Sequence, residues 1–140
     1  MTSIQKKFIR SFDSLDEIFQ FNRKFCQENS LDSALVTLTD FVTEEIFTNQ
    51  VKFHPESHAD IAIELSLTDK KLTICIRDFE VDLYDISRAA DVDVHKPIQE
   101  RKSGGLGLHL VKQMVDKIEY DYKNRTSTIT LTKYLEQENV

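Results

Sequence analysis

Large aliphatic residues alternate with polar or small residues along two stretches in the middle of the chain. Residues 60–67 read DIAIELSL and residues 72–78 read LTICIRD, and TDKK lies between them. A period of two is typical of a β-strand with one buried face, and a short polar link between two such stretches favours a hairpin. The same alternation is weaker in residues 3–11 and in residues 118–135, where we predict a first strand and a second hairpin.

Three further stretches have the spacing of an amphipathic helix, with apolar residues three and four positions apart. They cover residues 14–28, 32–53 and 105–118. Ser14 and Glu17 have the spacing of a capping box at the start of the first helix. We also expect a short helix at 82–90 and a polar loop at 91–103.

Together these elements predict an α+β fold: a two-layer sandwich of a mixed, mainly antiparallel sheet with helices on one face. The chain has 140 residues and a formal net charge of −6, which fits one domain over residues 1–140. No basic stripe points to nucleic acid as a partner. No apolar run is long enough for a signal peptide or a membrane span, so we expect a cytoplasmic protein without a membrane partner.

Two polar residues interrupt the apolar stripe of the second predicted helix. Glu45 and Asn49 follow Leu38 and Val42 on that stripe and lie one helical turn apart. A carboxylate and an amide that face inward can bind a hard cation and activate a proton donor. The alternative is a helix whose stripe drifts, so that Ile46 and Phe53 take over the packing.

Asp78 is in phase with the aliphatic residues of the second strand, so alternation places it on the buried face at the strand end. A buried carboxylate needs a hydrogen-bond donor. The amino group of a ligand would satisfy it, and so would a local turn.

All three glycines of the chain lie at 104, 105 and 107, directly before the third predicted helix. Glycine lets the backbone approach a ligand closely, and the start of a helix offers free N–H groups to an anion. The alternative is an ordinary helix start. The chain contains neither the P-loop pattern GxxxxGK[ST] nor a GxGxxG after a strand.

The order of these features resembles the GHKL ATP-binding fold of gyrase-type ATPases, histidine kinases and anti-sigma-factor kinases. Within it, the chain is most similar to the stand-alone, RsbW-like anti-sigma-factor serine/threonine kinases. EEIFTNQVK resembles their N-box, and PIQERKSGGLGLHLVKQMVDKIEY resembles their lid end, glycine box and following helix. The resemblance covers residues from about 5 to 135.

The resemblance implies a role for each candidate residue. Glu45 would be the general base for a serine hydroxyl, Asn49 would bind Mg²⁺, and Asp78 would accept a hydrogen bond from the adenine amino group. The other implied ATP contacts are Lys52 and Arg101 near the phosphates, with Gly104, Gly105, Leu106, Gly107 and Leu108 holding them through the backbone.

The implied function is an Mg-ATP-dependent serine/threonine kinase and anti-sigma factor that phosphorylates a STAS-domain anti-anti-sigma protein. A sigma factor and a second copy of the chain are further candidate partners. Glu80 stands where the family usually has a glycine, two residues after Asp78. A second hypothesis is therefore a weakly active or inactive protein of this fold that sequesters a partner. A detached histidine-kinase catalytic domain is a third.

Overall fold

The described part of the protein combines one antiparallel sheet with three helices. The computed structural model describes residues 1–83 and 105–136. Its strands are β1 (Thr2–Phe8), β2 (Ile61–Leu67), β3 (Lys71–Phe79), β4 (Lys117–Lys123) and β5 (Thr126–Tyr134). Its helices are α1 (Leu15–Glu28), α2 (Ser33–Phe53) and α3 (Gly105–Met114), and a short 3₁₀ turn (Phe12–Ser14) precedes α1.

The five strands lie in the order β1-β2-β3-β5-β4, and every neighbouring pair is antiparallel. The β2–β3 hairpin closes at the predicted turn, where the Thr68 amide donates to the Lys71 carbonyl over 3.0 Å. Asn124 and Arg125 join β4 to β5 with φ values of 53° and 57°. Two consecutive left-handed residues are typical of the hairpin turn whose twist matches that of the strands.

The core lies between one face of the sheet and the helices. Alternate residues of β2, β3 and β5 point to that face and pack against the apolar sides of α1, α2 and α3. Its largest fully buried side chains are Phe8, Phe25, Phe47, Ile18, Ile46, Ile61, Ile63, Leu65, Leu72, Ile74, Ile76 and Ile129. The predicted α+β class is confirmed. In the described part of the chain, no helix has the length and apolar content needed to cross a membrane.

The start of α1 differs from the sequence prediction. The predicted capping box is wrong, because the Ser14 hydroxyl donates to the Ile9 carbonyl over 2.7 Å and makes no cap bond. Glu17 instead forms an ion pair with Lys6 at 2.6 Å. The first strand ends at Phe8 rather than at residue 11, because the chain turns at Ser11, whose hydroxyl accepts from the Asp13 amide and caps the 3₁₀ turn.

The end of α3 also differs. The prediction placed Ile118 in this helix, but the helix ends at Met114 and Ile118 lies in β4. The Asp116 amide donates to the Thr132 carbonyl of β5 over 2.8 Å, which draws the chain into the sheet. Asp82 and Leu83 are not helical. The rest of the predicted 82–90 helix and the 91–103 loop lie outside the described residues.

Candidate functional site

The carboxylate of Glu45 lies against the backbone of Gly107. Glu45 is on α2, Gly107 is in the first turn of α3, and a Cβ atom added to Gly107 would overlap the carboxylate carbon and both its oxygens. The first N–H groups of a helix have no partner within the helix. The two parts of the chain that the sequence singled out, the ExxxN pair and the glycines, therefore meet in the folded protein.

Asn49 is 1% exposed and faces this meeting point from the next turn of α2. Its Nδ2 donates to the Glu45 carbonyl over 2.5 Å and lies 3.5 Å from the Glu45 carboxylate. Its Oδ1 is buried and has no hydrogen-bond partner within residues 1–83 and 105–136. A buried polar atom without a hydrogen-bond partner destabilises a folded protein. A bound cation or a hydrogen-bond donor would satisfy the Asn49 oxygen.

Both sequence interpretations of the α2 stripe hold in part. Ile46 is buried in the core, as the drifting-stripe alternative predicted, but Phe53 is only partly buried and Phe47 is buried instead. Asn49 stays buried beside them. Glu45 is half-buried and turns to α3. Polar and apolar positions therefore share the inward side of the helix.

The surroundings of Glu45 raise the pKa of its carboxyl above the ordinary value. Burial is the main cause, and the neighbouring Glu44 adds to it, while Lys52 and the Asn49 amide act in the opposite direction. A carboxylate with a raised pKa is a better proton acceptor than an exposed one. Glu45 thus has the position and the basicity of a candidate general base.

Asp78 is fully buried at the end of β3, on the side of the sheet that the alternation predicted. Its Oδ1 accepts a short hydrogen bond and ion pair from Arg10. Its Oδ2 has no partner in the described part of the chain. Ser127 is directly opposite on β5, and its hydroxyl is also buried without a described partner. One carboxylate oxygen of Asp78 thus lacks a described hydrogen-bond partner.

Arg10 was not among the residues that the sequence singled out. Its guanidinium reaches Asp78 from the link between β1 and α1, and its side chain is 8% exposed. The Nη1 atom also donates to the carbonyl of Gln50, the residue after Asn49, over 3.2 Å. The only sequence signal for it was the buried carboxylate, which needed a donor somewhere in the chain.

The chain after α2 supports the end of β3. The Ser57 hydroxyl donates to the Phe79 carbonyl over 2.5 Å. His54 is 3% exposed, and its Nδ1 lies 2.9 Å from the Glu56 carboxylate, which also accepts the Asp82 amide over 2.9 Å. Burial acts to raise the pKa of Glu56, but the amides of Asp82 and Glu56 and the His54 ring outweigh it and lower the pKa to about 2.

Glu80 follows with φ at 59°, in the left-handed region that glycine prefers. The strand therefore ends in a left-handed backbone conformation, which this chain adopts with a non-glycine residue. The Glu80 side chain is exposed, and its carbonyl accepts a hydrogen bond from Arg125 over 3.3 Å.

The remaining candidates are less completely described. Lys52 is exposed three residues beyond Asn49. Gly105 and Leu106 begin α3, and Leu108 packs its side chain in the core, so only its backbone faces the first turn. Arg101 and Gly104 lie outside the described residues.

The described residues fit a nucleotide with a divalent cation. The free Oδ1 of Asn49 is a hard oxygen ligand of the kind that Mg²⁺ binds together with phosphate oxygens. The free Oδ2 of Asp78 can accept an amino group. Gly107 brings the backbone of a helix start close to Glu45. Among the described residues, no cluster of three or more His, Cys, Asp and Glu side chains offers a metal site made of protein alone.

A separate open depression of about 620 Å³ lies at the other end of the sheet. Its lining includes Leu31, Leu35 and Tyr134, at the α1–α2 link and the end of β5. None of the candidate residues lines it, so volume alone does not identify the site.

Comparison with known proteins gives a family match across the site. The model of the histidine kinase-like ATPase domain matches residues 10–133. This range includes Arg10, Ser127 and all the candidate site residues.

Curated relatives and solved structures agree with that match. The chain is 31% identical over 100 residues to the serine-protein kinase RsbW of Bacillus cereus (strain AH820), which covers 69% of this chain and 62% of that protein. It is 29% identical over 100 residues to RsbW of Halalkalibacterium halodurans, covering 69% and 60%. The aligned part thus spans about three-fifths of these relatives.

Two solved structures share the fold. A Mycobacterium tuberculosis structure of RsbU and RsbW domains has a TM-score of 0.67 at 12% identity and covers 95% of this chain and 32% of that one. The SiaB–SiaC complex of Pseudomonas aeruginosa has a TM-score of 0.61 at 14% identity, with 94% and 88% covered.

Proposed function

Since the chain belongs to the histidine kinase-like ATPase domain family, we propose that it is an Mg-ATP-dependent protein kinase of bacterial partner switching. Its substrate would be a serine of a STAS-domain anti-anti-sigma protein. The relatives named serine-protein kinase support the activity, and a neighbour solved as a two-protein complex supports a protein partner. We also propose that a sigma factor and a second copy of the chain are partners. The protein would act in the cytoplasm, and residues 1–140 would form one domain.

The observation that carries the proposal is the contact of Glu45 with Gly107 beside the free Oδ1 of Asn49. When bound, Mg-ATP supplies the phosphoryl group. Glu45 takes the proton from the serine hydroxyl, and its raised pKa suits that role. Asn49 offers its Oδ1 to the cation. Phosphoryl transfer depends mainly on such positioning and charge neutralisation.

The other roles extend this arrangement along the nucleotide. Asp78 accepts the adenine amino group through Oδ2. The backbone of Gly104, Gly105, Leu106, Gly107 and Leu108 holds the phosphates, with Lys52 and Arg101 as their cationic neighbours. These assignments follow the family pattern residue by residue.

The test is transfer of labelled phosphate from γ-labelled ATP to a serine of a STAS-domain protein from the same source. Glu45→Gln removes the proposed base, and Glu28→Gln, which changes an exposed carboxyl at the end of α1, is the matched control. We expect a loss of about a hundredfold or more in Glu45→Gln and near-normal transfer in Glu28→Gln. Equal transfer in the two variants would contradict the role of Glu45, and no transfer by the native protein to its binding partner would contradict the kinase.

A second candidate function is a sequestering switch with little catalysis. The strained backbone at Glu80 favours it, because a side chain stands beside the proposed adenine site where the family usually has none. Stoichiometric binding of the STAS-domain protein that does not change with Mg-ATP would support this function. Dependence of the complex on nucleotide would favour the kinase.

A further inference from the structure

The Arg10 guanidinium holds together three parts of the chain around Asp78. Its Nε donates to the Ala59 carbonyl over 3.1 Å, its Nη1 to the Gln50 carbonyl over 3.2 Å, and its Nη2 to Asp78 Oδ1. Arginine presents several donors in a fixed plane, so three acceptors fix its orientation. The carbonyls of Ala59 and Gln50 thus hold the Arg10 guanidinium, and the guanidinium in turn orients the Asp78 carboxylate.

The charges that face Asp78 come from three elements. Arg10 approaches from the link after β1, His54 from the end of α2, and Glu56 from the loop before β2. The pKa of Asp78 is raised, because burial outweighs the hydrogen bond and charge of Arg10, which are the largest influences that lower it; His54 also lowers it, and Glu56 raises it. Arg10 is therefore the main group that favours the ionised form of this carboxyl.

We propose that Arg10 is a positioning residue that keeps Asp78 as an ionised acceptor with Oδ2 directed to the ligand, and thereby sets the purine preference of the site. This inference rests on the proposed nucleotide function. An ionised carboxylate only accepts hydrogen bonds, whereas a protonated one also donates. An amino purine donates to the ionised form, and a keto purine presents an acceptor that the ionised form repels.

The first test compares binding of Mg-ATP and of the inosine analogue, Mg-ITP, to the native protein and to Arg10→Met over a range of pH. The preference for ATP should rise with pH as Asp78 ionises. Because Arg10 lowers the pKa of Asp78, the midpoint of that rise should lie at higher pH in Arg10→Met. Below the midpoint the ATP preference should fall by about tenfold, as expected for the loss of one hydrogen bond to a charged acceptor.

Arg10→Lys and Lys6→Met are the matched variants. Lysine keeps the charge but cannot reach three acceptors at once, so its midpoint should lie between those of the native protein and Arg10→Met. Lys6→Met removes a charge from an exposed side chain of β1 and should leave the midpoint unchanged.

The second test is independent of nucleotide. The carboxyl carbon of Asp78, assigned with Asp78→Asn, is titrated by NMR in the free protein, and its pKa should increase from native to Arg10→Lys to Arg10→Met. If Arg10→Met does not fold, the native protein and Arg10→Lys alone give the comparison.

The outcomes separate this inference from the function on which it rests. An unchanged Asp78 titration, or an unchanged ATP/ITP profile in a variant that binds nucleotide, overturns the role of Arg10 and leaves the kinase standing. Tighter ATP binding by Arg10→Met would also overturn it, because Arg10 would then compete with the adenine amino group for Asp78. Absence of all nucleotide binding by the native protein overturns both.

Discussion

The carboxylate of Glu45 occupies the space that a side chain at position 107 would need. Gly107→Ala must therefore push Glu45 aside or separate α3 from α2. The carboxylate is the far end of a flexible side chain, so moving it aside costs less than the about 1 to 3 kcal/mol that is typical of an overpacked core. Alanine also gains up to about 1 kcal/mol in helix propensity, so we expect only a small change in stability. We expect phosphate transfer to fall by at least about tenfold, because the displaced base no longer meets its substrate.

A double-mutant cycle tests whether the clash is the cause. In a Glu45→Ala background the space beside Gly107 is open, so Gly107→Ala should then change the free energy of unfolding in urea more favourably than it does in the native background. Leu110→Ala changes an exposed residue of the same helix and is the control. Strictly additive free energies for the two changes would show that Gly107 and Glu45 do not compete for this space.

Glu80 provides a prediction about backbone strain. Its φ of 59° costs a non-glycine residue about 1 to 2 kcal/mol. Glu80→Gly should therefore be more stable than Glu80→Ala by about 1 kcal/mol, since both remove the side chain and only glycine removes the strain. Urea denaturation of the two variants checks this difference. Equal stability would mean that the strand end relaxes around a side chain.

Glu56 predicts a pH dependence of stability. Its pKa in the folded protein is about 2, below the ordinary 4.5, so its contribution is present above about pH 4.5 and is lost as the pH falls toward about 2. Glu56→Gln should cost about 1 kcal/mol at neutral pH, a small value because solvent reaches the carboxylate and screens it.

The measurement for Glu56 is the free energy of unfolding in urea at several pH values. The difference between the native protein and Glu56→Gln should shrink steadily as the solution is made acidic. Glu28→Gln, which changes an exposed carboxyl at the end of α1, is the control. A difference that stays constant with pH would contradict the ionic role of Glu56.

Local patterns were sufficient to predict the features that depend on neighbouring residues. Alternation along β3 placed Asp78 on the buried face, and helical spacing placed Asn49 on the inward side of α2. Both follow from the geometry of a single element, which the sequence carries directly. The family resemblance then supplied the link between these elements and the glycines.

The features that the sequence missed depend on contacts outside the helix or strand whose pattern was read. Arg10 and Asp78 are 68 positions apart, and no pattern around Arg10 marks it as buried. The predicted capping box does not form because the Ser14 hydroxyl donates to the Ile9 carbonyl, before the helix. Helix α3 ends before the predicted residue because the Asp116 amide donates to the Thr132 carbonyl of β5. In the last two cases a hydrogen bond to a residue outside the helix replaced the one that the local pattern predicted.

The most direct test of the proposed site is calorimetric titration of Mg-ATP into the native protein, Asn49→Ala and Thr48→Ala. Thr48 is the preceding residue on α2, and among the described residues its hydroxyl donates within the helix, to the carbonyls of Glu44 over 2.8 Å and Glu45 over 3.3 Å. We predict magnesium-dependent binding by the native protein and Thr48→Ala, and a loss of at least about tenfold in Asn49→Ala, which lacks the free Oδ1. Equal binding by Asn49→Ala and Thr48→Ala would contradict the placement of the cation at Asn49.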